Sequence, residues 1–114
     1  MKTIENSSLK KKDRQAIEAA ARLLRSRYPI EKIILYGSKA TGADTDESDV
    51  DLLLLTSHSL SWQERDNITE ALFDIQLEYG VVISTLVVST VEWTTGYYSV
   101  LPIYDEIERH GLAA

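Results

Sequence analysis

Two aspartates, Asp49 and Asp51, stand at the mouth of the leucine run in SDVDLLLL, and the corner Gly37-Ser38 precedes them by the ten residues 39 to 48. In an extended strand, residues i and i+2 face the same side. The two carboxylates therefore share a face, about 6–7 Å apart at the backbone. At that separation two like charges repel by roughly 2.5 kcal/mol at an effective dielectric near 20, and partial burial beside leucines adds a desolvation cost. A divalent cation offsets both. Magnesium suits oxygen ligands and commonly binds one or two carboxylates together with phosphate oxygens. Gly37 complements this: lacking a side chain, it lets an anion approach the backbone. Ser38 opens a helical turn, whose free N–H groups attract anions, and its hydroxyl offers a further hydrogen bond. A corner suited to phosphate facing a pair suited to metal describes a site for a magnesium-bound nucleoside triphosphate.

The elements that must hold these residues are readable in order. Ile17, Ala20, Ala21 and Leu24 recur at helical spacing in a helix from about Leu9 to Tyr28, which Pro29 ends. Ile30 to Gly37 (IEKIILYG) reads as a strand closed by glycine. Ser38 to Thr41 is one helical turn stopped by Gly42, and 43 to 48 is a polar loop. Asp49 to Thr56 is a second strand, expected antiparallel to the first and, past Asp51, apolar on both faces, as a strand covered on both sides should be. Ser61 and Glu64 form a capping box for one helix carrying Ile68, Ala71, Leu72, Ile75 and Tyr79, with Gly80 as its left-handed cap. Val81 to Ser89 is a third strand. A short VEW turn follows, and Pro102 to Gly111 is a last helix. The expected fold class is α+β: a small mixed sheet of three or four strands flanked by helices, forming one domain over 1–114.

The spacing G-S, ten residues, D-x-D resembles the signature of the minimal nucleotidyltransferases, a branch of the DNA polymerase β-like nucleotidyltransferase superfamily. Gly42 and Ser48 match its longer form, GSxAxG…SDxDL, and the order of elements fits the family's palm across most of the chain. The resemblance implies transfer of a nucleotidyl group, ATP being the expected donor, to a hydroxyl of a protein or small molecule. It implies two magnesium ions held by Asp49 and Asp51, the β- and γ-phosphates held by Gly37 and Ser38, and Lys39 neutralising charge on the triphosphate where relatives often carry arginine. The catalytic set so implied is Asp49, Asp51 and Ser38. The family's third carboxylate should fall near Ser84, where the sequence reads VISTLVV. Glu70, Asp74, Glu78 and Glu92 are the acids that could fold toward that gap. The resemblance also implies a partner, a co-encoded helical protein of the HEPN type. The alternative is an antitoxin or regulatory module that binds such a partner with little catalysis.

Composition narrows the rest. The chain has 114 residues, 44% hydrophobic, enough for one core. A net charge of −6 argues against a general electrostatic grip on nucleic acid. The absence of cysteine excludes disulfides and thiolate metal sites. The basic N-terminal patch is followed by no apolar run, so no signal peptide or membrane span is expected, and the cytoplasm is the expected compartment. Lys10 to Lys12, and the acids Asp44, Asp46 and Glu47, read as solvated surface. His58 and His110 read as exposed, Trp62 and Trp93 as packing residues, and Tyr97, Tyr98 and Tyr104 as packing or partner-facing surface.

Overall fold

The computed structural model describes residues 1–45 and 47–114. Helix α1, Lys11–Arg27, buries Ala16, Ile17, Ala20, Ala21 and Leu24, the stripe its spacing demands. Tyr28, before Pro29, is already extended at φ −132° and ψ 157°. Strand β1, Ile30–Tyr36, leads into the single turn α2, Ser38–Thr41. Strand β2, Val50–Thr56, follows the polar loop. Helices α3, Trp62–Ala71, and α4, Phe73–Tyr79, cross to β3, Ile83–Ser89. Then come α5, Thr90–Thr95, a 3-10 turn, Tyr97–Val100, α6, Pro102–His110, and the two-residue β4, Leu112–Ala113. The fold is α+β with a four-stranded mixed sheet in the order β3-β2-β1-β4. As expected, β1 and β2 are antiparallel; β2 and β3 are parallel, and β4 is antiparallel to β1.

The leucine run of β2 serves two cores at once. Leu52 and Leu54 join the larger one, with Ile17 and Leu24 of α1, Ile68 of α3 and Ile75 of α4. Leu53 and Leu55 join a smaller one on the opposite face, with Ile34, Val88, Trp93 of α5 and Ile107 of α6. Alternation with period two thus puts Asp51 on the face of the smaller core, at its open end.

The structure corrects three sequence expectations. The helix expected from Ser61 to Tyr79 is two helices joined at Leu72, which at φ −82° and ψ −11° closes the first and opens the second. Its punctuation is as expected: the reciprocal Ser61–Glu64 capping box and Gly80 in the left-handed region. The VEW segment is a full helix with Ser89 as its cap. Trp62 does not pack: it is 84% exposed, whereas Trp93 is fully buried and donates from Nε1 to Glu108 Oε1 at 2.9 Å. No helix among the described residues is long and apolar enough to cross a membrane.

Candidate active site

The corner meets Asp51. In the sheet, Tyr36 of β1 pairs with Asp51 of β2, and Asp51 pairs with Ser84 of β3. Directly paired residues project from the same face of a sheet, so Tyr36, Asp51 and Ser84 form one row across three strands. Gly37 follows Tyr36 with φ 78° and ψ −159°, a region open almost only to glycine. A Cβ there would lie 2.5 Å from Asp51 Oδ2. The absent side chain is what allows the β1–α2 corner to lie against the carboxylate.

Each flanking residue has a local reason for its type. Gly42, at φ 79° and ψ 9°, is the left-handed cap that turns the chain away after α2. Ser48 accepts from the Thr45 backbone N–H at 2.9 Å and folds the loop back just before Asp49. Asp49 is exposed, and Asp51 is half-buried. Burial, and then the neighbouring charge of Asp49, hold the Asp51 carboxyl above the usual carboxylate range. Burial, and then Asp51, likewise push the Tyr36 phenol above its ordinary value. Burial is the larger cause for both groups; the smaller one, a neighbouring carboxylate, is one that a cation would offset.

Lys39 is not where the sequence expectation put it. It is only 6% exposed, its ammonium 2.9 Å from Asp13 Oδ2 and 3.4 Å from Asp44 Oδ2. Asp13 is itself 1% exposed at the start of α1. A buried carboxylate without a partner would be costly, and Lys39, pointing inward from α2, supplies that partner rather than facing a phosphate. Asp44 is accordingly half-buried instead of solvated; Glu47 is exposed, and Asp46 lies outside the described residues.

The four acids considered for the gap at Ser84 have other settings. Glu70 and Asp74 line a groove with Arg22 and Arg27 of α1, on the larger-core side. Glu78 is exposed on α4. Glu92 lies in the first turn of α5, its carboxylate accepting from Ser59 Oγ at 2.5 Å and Ser89 Oγ at 3.0 Å, bonds that hold it below the usual range. No cluster of three or more His, Cys, Asp or Glu side chains that could hold a metal occurs among the described residues. The oxygen donors that could hold magnesium here are Asp49 and Asp51, a pair that fits an ion completing its shell with water and substrate phosphate. His58 and His110 are exposed, as expected.

Tyr36 and Asp13 escaped sequence reading. Asp13 had a signal: it lies four residues before Ile17, on the apolar stripe of α1. Tyr36 became visible only through strand register.

Comparison with known proteins points to one family. A family model described as polymerase beta, nucleotidyltransferase matches residues 18–110. Two relatives from Methanocaldococcus jannaschii are both provisionally named protein adenylyltransferase. MJ0604 is 37% identical over 79 residues, 68% of this chain and 74% of its own. MJ0141 is 29% identical over 83 residues, 73% of this chain and 77% of its own. Among solved structures, a chain from a toxin-antitoxin with AMP-PNP superposes with a TM-score of 0.60 at 16% identity, covering 87% of this chain and 69% of that one. A chain from the toxin-antitoxin MntA-HpeT mutant-Y104A gives 0.56 at 20%, covering 86% and 70%. At such identities these two likenesses speak for the fold.

Proposed function

This chain belongs to the polymerase beta nucleotidyltransferase family, and from that premise we propose that it transfers a nucleoside monophosphate, AMP by preference, from a magnesium-bound triphosphate to a hydroxyl of a protein acceptor. The observation that carries the reading is the contact of side-chain-free Gly37 with the Asp51 carboxylate. It gives a triphosphate and its cation a common place to sit. Gly37 and Ser38 hold the β- and γ-phosphates; Asp49 and Asp51 hold magnesium. The bound ion would neutralise phosphate charge and orient the triphosphate. The acceptor oxygen bonds to the α-phosphorus, the bond to the β-phosphate oxygen breaks, pyrophosphate leaves and the acceptor proton passes to solvent. A protein acceptor is favoured by the names of the two archaeal relatives.

A second reading has its own support. Ser84, a neutral hydroxyl, stands beside Asp51, and the two solved neighbours come from toxin-antitoxin complexes. On this reading the chain binds a helical partner of the HEPN type and catalyses little.

The test is to incubate the protein with each triphosphate, magnesium and its co-encoded neighbour, and to weigh the products. One added nucleotidyl mass, lost in both Asp49→Asn and Asp51→Asn, is the expected result. Transfer surviving both substitutions would overturn the assignment. Partner binding without transfer, unchanged in both variants, would favour the second reading. Unfolding can be separated from loss of function by pH. The folded-state pKa of Asp51 is raised, so its contribution to stability is full below the unfolded value and is lost as pH rises through the folded one. Asp51→Asn removes that loss. The ligand-free variant should therefore be at least as stable as the parent at neutral pH, with the difference closing in acid.

A further inference from the structure

We propose that the site holds a single divalent cation, shared between Asp49, Asp51 and the triphosphate, and that Ser84 is the position that excludes a second. This rests on the magnesium-triphosphate reading above. The grounds are the row across the sheet and the ligands that row supplies. Asp51 is flanked in register by Tyr36 on one side and Ser84 on the other. Neighbouring strands lie about 4.8 Å apart, so these two side chains are the sheet's nearest candidates to share an ion with Asp51. Both are neutral at pH 7: a phenol with an ordinary value near 10 and an aliphatic hydroxyl. No third acid, histidine or thiol joins Asp49 and Asp51 in a metal-holding cluster among the described residues. A pair of ions about 3.5–4 Å apart needs protein oxygens for each ion, and a hydroxyl is a far weaker ligand for magnesium than a carboxylate.

Position also says what would change this. Ser84 lies on the face of Asp51, half-buried at the start of β3, an edge strand of the sheet. A carboxylate there would extend the acid row by one strand without displacing a core residue; Ile83 and Thr85 point to the other face.

The experiment counts metal and does not need turnover. Manganese replaces magnesium, with a non-hydrolysable triphosphate, on the parent, Ser84→Asp and Ser84→Ala. Retained manganese per chain is measured after gel filtration, and the spin-resonance spectrum distinguishes an isolated ion from a spin-coupled pair. One ion per bound nucleotide with an isolated-ion spectrum is expected for the parent and for Ser84→Ala. Two coupled ions are expected for Ser84→Asp. Two ions on the parent would overturn the single-cation proposal. One ion on a folded Ser84→Asp, verified by its melting curve, would overturn the role given to Ser84. Nucleotide binding without metal dependence, in any of the three, would instead overturn the functional reading on which the proposal rests.

Discussion

At the scale of single residues, the site depends on what two glycines permit. Both have positive φ, but their surroundings differ. Gly37 sits in an almost glycine-only region with Asp51 Oδ2 2.5 Å from where a Cβ would be, whereas nothing lies within 4 Å of the corresponding point at Gly42. Gly37→Ala should therefore cost about 1–3 kcal/mol of stability and displace the Asp51 carboxylate, weakening magnesium-nucleotide binding at least tenfold. Gly42→Ala meets only the left-handed backbone penalty, about 1 kcal/mol, and should leave nucleotide affinity within twofold. Denaturant melts and calorimetric titration of both variants check the contrast. Equal losses of affinity would mean that the corner tolerates a side chain and that its closeness to Asp51 is incidental. The glycine-serine corner and the spaced acids were legible in sequence because each departs from what a plain strand needs: a glycine where β1 ends and paired charges beside leucines. Tyr36 and the setting of Ser84 were not, since strand register depends on pairing between distant segments.

Elements set the geometry through Asp13, Lys39 and Asp44, which tie the start of α1 to α2 and to the loop leading to Asp49. Buried ion pairs contribute little net stability, yet removing one partner alone is severe. Asp13→Ala should thus cost about 3 kcal/mol, with Asp44 still reaching Lys39. The double variant Asp13→Leu with Lys39→Met should recover much of that loss in denaturant stability, the remaining cost being half-buried Asp44 left without its cation. It should nevertheless lose roughly tenfold in magnesium-nucleotide affinity, the usual scale for residues that support ligands from behind, because the corner is no longer held at a fixed distance from the loop. Unchanged affinity in a stable double variant would reduce the triad to packing. The same elements show where sequence reading stops. Strong periodicity and sharp punctuation made α1, β1, β2 and the α3 cap readable. The break at Leu72 carries neither proline nor glycine, and β4 is two residues long, too short for any pattern. Lys39 was assigned by charge alone, and charge does not say which way a one-turn helix points its second residue. The buried aspartate on the α1 stripe was the missing clue.

At the scale of the molecule, one sheet is shared by two cores of unequal size, and the site lies at the end of the strands common to both. β2 sends Leu52 and Leu54 into one core and Leu53 and Leu55 into the other. Loss of either core exposes leucines of the same strand, so the two should unfold together. A ligand that binds only the folded site stabilises the whole by about 2.7 kcal/mol when present at a hundred times its dissociation constant. At roughly 4–8 °C per kcal/mol for a chain of this size, magnesium with a non-hydrolysable triphosphate should raise the melting temperature by about 10–20 °C. Chelation of the metal should abolish the rise, and so should Asp51→Asn. Two probes can watch the two cores separately. Far-ultraviolet dichroism is dominated by α1, α3 and α4, while Trp93 reports the smaller core, in which its ring lies 5.0 Å from that of Tyr104. Trp62, 84% exposed, can be replaced by phenylalanine to leave Trp93 as the sole indole. Both probes should shift by the same amount on adding the ligand. A shift in dichroism alone would show that the layer of α5 and α6 melts independently and that the site draws its rigidity only from the larger core.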